Sequence, residues 1–273
     1  MKKINGFKVG SDPELFLTKN GSIISAEGII GGTKDEPKEV TEHGHAIQED
    51  NVMIEFNIPP CETADSFLGE INYMKEYLNT YVKLKDKTYG LSFTVTHDFT
   101  DEEVNTEQAK VFGCDPDFNV YTKFINDPPS PAQNKRSCGG HIHIGYDNPE
   151  QETTEQIIYA LDIMLGLDSV LLDNDRYRKL MYGKAGSFRF KPYGLEYRTL
   201  SNFWIADDML IKWVFNRVES AINLVNSGHL AEILEKYESK IKDAIDNSDV
   251  KLSIEVYSEI QKILEDKKIK IVS

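Results

Sequence analysis

Hydrophobic and polar positions alternate with a period of two in several short runs and recur every three or four residues in a few long ones. The chain therefore reads as short strands interleaved with long helices. Glu14 to Thr18 and Ser22 to Ala26 flank Asn20-Gly21, a dipeptide suited to the left-handed backbone of a type I′ turn, so residues 7 to 26 are expected to form a hairpin. From His45 to Pro60 the alternation sets Val52, Ile54, Phe56 and Ile58 on one side and Asn51, Met53, Glu55 and Asn57 on the other. This predicts one strand with Glu55 central on its polar face, ended by Pro59-Pro60, which lack N–H groups. Leu91 to Thr96 predicts another strand. Ser137-Cys138-Gly139-Gly140-His141-Ile142-His143-Ile144-Gly145 predicts a third, with both histidines on one face and both isoleucines on the other.

The helical pattern is as plain. Thr63 caps a helix whose stripe is Phe67, Ile71, Met74, Leu78 and Tyr81. Thr100 to Glu103 has the form of a capping box, as does Thr153 to Gln156, which opens a long helix through Leu172. Asp207 or Asp208 starts a helix carrying Leu210, Trp213, Val214, Val218, Ala221, Ile222 and Val225, closed by Gly228. Two amphipathic helices follow, roughly Leu230 to Asp246 and Leu252 to Asp266. This order predicts an α+β domain over residues 1–228, with a mainly antiparallel sheet and helices on one face, and a helical tail over 229–273.

Composition narrows the function. The net charge of −14 argues against a nucleic-acid partner or an anionic membrane surface. Cys61, Cys114 and Cys138 form no C-x-x-C, which indicates neither a disulfide framework nor a zinc knuckle. The first residues lack the apolar stretch of a signal peptide, and the most apolar run, Ile157 to Leu172, carries Asp162 and Asp168. A cytoplasmic protein is expected.

Several side chains then stand out as candidate chemistry. Asp12 and Glu14 flank Pro13, two residues apart, as either a solvated strand end or a pair of ligands. His141 and His143 are either solvated strand residues or a site. Arg176, Arg178, Lys179, Lys184 and Arg189 crowd into a stretch of an otherwise acidic chain, which fits an anionic ligand or a salt-bridged surface. Glu196 and Arg198 share one face of a strand. Gly28-Ile29-Ile30-Gly31-Gly32-Thr33-Lys34 lacks P-loop spacing and reads as a plain loop; His43 and His45 read as surface. Hard divalent cations favour carboxylate oxygens, and several carboxylates on one sheet face repel one another unless cations neutralise them.

In this order the residues resemble the catalytic domain of glutamine synthetase and the γ-glutamate–cysteine ligases. Gly10-Ser11-Asp12-Pro13-Glu14-Leu15-Phe16-Leu17 is similar to that superfamily's first metal-binding strand, although Asp12 is a methylene shorter than the usual glutamate. Ile54-Glu55-Phe56 resembles its next ligand strand, although Glu49 and Asp50 lack the spacing of the further glutamate found there in glutamine synthetase. Gly140-His141-Ile142-His143 resembles its G-x-H-x-H strand, and Glu196-Tyr197-Arg198 its E-x-R motif. The stretches Asp50 to Pro60, Phe112 to Asp117 and Gly194 to Trp204 are more closely similar to the phage-type carboxylate-amine ligases (amidoligases), a likeness that spans about residues 8 to 225.

The resemblance implies a curved sheet and ATP-dependent ligation of a carboxylate to an amine through an acyl phosphate. It implies magnesium or manganese held by Asp12, Glu14, Glu55, His141 and Glu196, and phosphate contacts from Arg189 and Arg198, with Arg176, Arg178 and His143 around the nucleotide. The catalytic roles would fall to Glu55, Arg189 and Arg198. The partners would be small-molecule or peptide carboxylates and amines. A zinc hydrolase built on His141, His143 and a carboxylate is the rival reading. A non-catalytic binding protein that keeps the fold is a third.

Overall fold

In the computed structural model, which describes residues 3–110, 117–127 and 134–272, the chain passes from one antiparallel sheet into another at Asp12-Pro13. Its elements run β1 (Phe7–Ser11), β2 (Glu14–Lys19), β3 (Ser22–Ile24), β4 (Lys38–Glu39), β5 (Ala46–Asp50), β6 (Met53–Asn57), α1 (Ala64–Lys85), β7 (Tyr89–Ser92), β8 (Thr96–Asp98), α2 (Asp101–Val104), α3 (Glu107–Lys110), β9 (Phe118–Asn119), β10 (Lys135–Ser137) and β11 (Ile142–Tyr146). They continue with α4 (Gln151–Leu161), a π-helical turn (Asp162–Gly166), α5 (Leu167–Leu172), α6 (Arg178–Met181), β12 (Ser187–Lys191), β13 (Gly194–Tyr197), a 3-10 turn (Asn202–Ala206), α7 (Asp208–Ser227), α8 (Leu230–Asp246) and α9 (Val250–Asp266).

One sheet has the order β1-β11-β13-β12-β9 and the other β3-β2-β6-β5-β4, with β7 added on β2; β8 and β10 form a separate pair. Every strand pair among the described residues is antiparallel. The ladder crosses the break, because Ile58 N–H donates to the Ser11 carbonyl, Phe56 N–H donates to the Pro13 carbonyl, and Val9 and Cys61 exchange backbone bonds. The α+β class is as expected.

The apolar face of the first sheet, with Val9, Ile142, Ile144, Leu195 and Tyr197, shares one core with α1, α4, α7, α8 and α9. The expected cap of the first helix is present at Thr63, with Val82 rather than Tyr81 completing its buried stripe. Asp207 caps α7, and Gly228 closes it at φ 78°.

Four expectations change. Residues 7 to 26 are not a single hairpin: Pro13, with no N–H to donate, separates β1 from the β2–β3 hairpin, which does turn at Asn20-Gly21. The continuous alternation from His45 to Pro60 conceals a hairpin, since Asn51 adopts φ 59° and the chain reverses between β5 and β6. Leu91 to Thr96 is divided between β7 and β8. Thr153 to Gln156 lies inside α4, whose N-cap is Glu150, because Thr154 is buried and its hydroxyl bonds Tyr146. The Phe112–Pro116 part of the motif, with Cys114, Pro128, Pro129 and Pro131, lies outside the described residues.

Candidate active site

Strand register builds the site. In the first sheet His143 stands opposite Glu196, and Glu196 opposite Arg189, so the three form a row across β11, β13 and β12. In the second sheet Glu14 stands opposite Glu55, and Glu55 opposite Gln48. Asp12, at the junction, belongs with the first row. Gly140 brings His141 in under the sheet: a Cβ there would lie 2.3 Å from the Ser201 carbonyl oxygen, so only glycine fits.

Two groups of potential ligands result, Asp12 with His143 and Glu196, and Glu14 with Asp50 and Glu55; within each, the ligating atoms lie within 4.8 Å of one another. Their electrostatics differ. His143 Nε2 is 3.0 Å from Asp12 Oδ2 and His141 Nδ1 is 3.4 Å from Asp12 Oδ1. Arg198 pairs with Glu196 and, at 2.7 Å, with Asp117; Lys191 Nζ is 2.8 Å from the other Glu196 oxygen. Arg189 reaches Asp117 at 3.2 Å and Glu196 at 3.4 Å. Burial opposes the charge on Asp12, yet the two imidazoles hold its carboxyl well below the usual range. Glu196 is held at about 2, since Arg198 and the imidazoles outweigh burial and the Asp12 charge. Burial and Arg198 push His141 down to about 4, whereas Asp12 raises His143 against burial.

The second group lacks such neutralisation. Burial, then the charges of Asp12, Asp50, Glu14 and Glu196, push Glu55 well above the usual carboxylate range. Burial and Asp50 push Glu14 up to about 8. Asp50 is raised by burial, against the pull of Arg198 and Lys34. Protein bonds account for one oxygen of each glutamate: Glu14 accepts from Gly139 N–H at 2.6 Å, and Glu55 from the Gln48 amide at 2.9 Å. Three carboxylates so placed, Glu14 buried and Asp50 and Glu55 half-buried, need protons or a cation, and an all-oxygen donor set suits magnesium or manganese. By the same chemistry, the first group offers two carboxylates and one imidazole.

Four of the five expected ligands, Asp12, Glu14, Glu55 and Glu196, fall in the two groups; His141, 3.4 Å from Asp12, belongs to neither, and His143, expected only near the nucleotide, stands at 3.0 Å in its place. Asp50, Asp117 and Lys191 were not singled out. Asp50 and Lys191 gave no periodic signal, because each acts from a strand end beside a turn. Arg176 is not gathered with the rest: its guanidinium donates to the carbonyls of Val170 and Ser248. Lys179 is buried and spent on the Gly183 and Thr199 carbonyls. In the glycine-rich turn, the N–H groups of Gly28, Ile30 and Gly31 are occupied by Glu49, while the Lys34 charge acts on Asp50. His45, read as surface, is buried between Thr41 (2.7 Å) and Glu70 (2.6 Å), because the loop before β5 folds onto α1; His43 stays exposed.

A groove of about 880 Å³ opens beside His143, floored by Gly10 and Gly145 and walled by Phe7, Tyr146 and Tyr193. A second cavity, of about 40 Å³, touches Glu14, Asp50, Arg136, Arg178 and Arg198. Among the described residues, no helix is long and apolar enough to cross a membrane.

Carboxylates interleaved with guanidiniums can hold anionic groups, and the comparison with known families gives the class: a carboxylate-amine ligase. Residues 130–265 match the family described as Phage phiEco32-like COOH.NH2 ligase-type 2, and that part of the chain belongs to it. The match takes in both histidines, Glu196 and Arg198, and runs on through α8 into the last turn of α9. No curated protein matches the chain significantly.

Proposed function

We propose that the protein is an ATP-dependent carboxylate-amine ligase, a relative of the glutamine synthetase catalytic domain, working through an acyl phosphate. The observation that carries the reading is the pair of carboxylate groups at the sheet junction, Asp12–His143–Glu196 and Glu14–Asp50–Glu55, with Arg189 and Arg198 against the first. A carboxylate oxygen of one substrate attacks the γ-phosphorus of ATP and ADP leaves with the bridging oxygen. The amine then attacks the acyl carbon, loses a proton and expels phosphate, leaving an amide.

Magnesium or manganese, held by these two groups, would neutralise charge on the phosphate oxygens. The protein's own part is placement. Arg198 and Arg189 face the transferred phosphoryl, and Asp117 fixes both guanidiniums through one oxygen. The groove beside His143 has the size for a nucleotide, and Tyr193 and Tyr146 offer ring surface for a base. Both histidines would border the triphosphate end. The all-oxygen second group disfavours a zinc hydrolase, and five clustered acids, two of them buried and three half-buried, would burden a protein that only binds an organic partner.

The test is calorimetric titration of the full chain with ATP in magnesium, repeated with Arg198→Ala. Magnesium-dependent binding that weakens at least tenfold in the variant supports the reading. No binding to the wild type removes it.

A further inference from the structure

Arg178 is buried at 3% exposure, and among the described residues no carboxylate lies within ion-pair distance of its guanidinium. Its Nη1 donates only to the carbonyl and hydroxyl of Ser137, at 3.2 and 3.4 Å, and its Nε finds no hydrogen-bond partner. The charges that act on it most are Glu14, attractive, and Arg198, repulsive, followed by Asp173, attractive but outside ion-pair contact. Glu14 already accepts a bond from Gly139. Two buried guanidiniums that repel each other, one of them with no carboxylate in direct contact, are costly unless an anion completes the arrangement. The cavity of about 40 Å³ that Arg178 and Arg198 border is where such an anion would sit.

We infer that this cavity, separate from the His143 groove, receives the carboxylate of the acyl substrate, with Arg178 as its binding group. The inference rests on the proposed ligase reading and assigns Arg178 to the carboxylate rather than to the nucleotide. The cavity of about 40 Å³ admits a small anionic end group such as a carboxylate. Arg178 supplies a fork suited to two carboxylate oxygens, and the Tyr182 ring, 5.8 Å from its guanidinium carbon, holds it laterally. The carboxylate would then lie between Arg178 and the Glu14–Asp50–Glu55 group, next to the phosphoryl held by Arg198. Such placement supplies the in-line approach that the first step needs.

The experiment uses sodium acetate as the probe on the full chain in magnesium, with sodium chloride and sodium phosphate at equal ionic strength as controls. Acetate is expected to raise the unfolding midpoint saturably by a few degrees over chloride, and phosphate is expected to raise it less. Arg178→Met should lose the acetate shift and, relieved of an unpaired buried charge, unfold in chloride no earlier than the wild type. Arg178→Lys should keep a reduced shift. A wild type without an acetate shift, an equal shift in Arg178→Met, or a larger shift with phosphate would each overturn the assignment. ATP titration of the same samples separates the two claims: ATP binding without an acetate effect sinks this inference alone, and an acetate effect without ATP binding sinks the ligase reading alone.

Discussion

Glu14 and Glu55 face each other directly across the β2–β6 ladder, two buried carboxylates in a cross-strand pair. Like charges so placed destabilise a sheet by up to about 1 kcal/mol even at exposed positions. The pair therefore weakens the metal-free protein once it ionises, and Glu14 and Glu55 would hold a divalent cation that neutralises it.

Glu55→Gln is accordingly expected to leave the metal-free protein as stable as the wild type, or more stable by on the order of 1 kcal/mol at pH 8. It should abolish magnesium-dependent stabilisation. The sign follows from the raised pKa values of Glu55 and Glu14: the stability they contribute is present at acid pH and lost as pH rises through the folded-state values, about 8 for Glu14. Unfolding midpoints from pH 5 to 9, with and without magnesium, test this. A magnesium shift that survives in Glu55→Gln would take Glu55 out of the site.

Asp162 gives a second pH effect, away from the site. Its buried carboxyl accepts from the Tyr197 hydroxyl at 2.6 Å, and burial pushes it up to about 7. The stability it contributes is complete below the ordinary carboxylate range and lost as pH passes about 7. Asp162→Asn should flatten the stability profile between pH 5 and 8, with a relative gain at pH 8 on the order of 3 kcal/mol. Urea unfolding at the two values measures it; parallel profiles for variant and wild type would refute it.

Lys191→Met tests the phosphate face without a large cost in stability. The ammonium pairs with Glu196 at 2.8 Å, but its side chain is 28% exposed, and Arg198 still neutralises the carboxylate. Stability should fall by no more than about 1 kcal/mol, while ATP binding weakens several-fold. Unchanged ATP affinity would place Lys191 outside the nucleotide's reach.

Gly145→Val probes the groove. A Cβ at this position meets only ordinary contacts, the nearest 3.6 Å away at the Tyr193 carbonyl oxygen, so the fold should tolerate it. The added methyl groups project into the groove that is proposed to hold the nucleotide. ATP affinity should drop at least tenfold with an unfolding midpoint unchanged or higher, as calorimetry and thermal melts would record. Full affinity would move the nucleotide elsewhere.

The sequence by itself determined the local devices. The Asn20-Gly21 turn, the Thr63, Thr100 and Asp207 caps, the Gly228 stop and the facing of His143 away from Ile142 and Ile144 all depend on residues close together in the chain, and all are present. The order of acidic, histidine and arginine residues also carried the ligase resemblance, which the family match over residues 130–265 bears out. Tertiary structure decided what depends on register and burial. Alternation through Asn51 could not reveal a reversal, because a two-residue turn keeps the period of two while folding the strand back. Asp117 gained its partners from strands distant in sequence, while Asp50 and Lys191 meet Glu55 and Glu196 only because the chain reverses between paired strands. The basic run was sorted the same way: Lys179 and Arg176 were drawn to carbonyls, Arg189 to Glu196, and Arg178 was left buried beside a cavity. A sequence fixes which charges exist; only packing sets which of them lose water and what they then face.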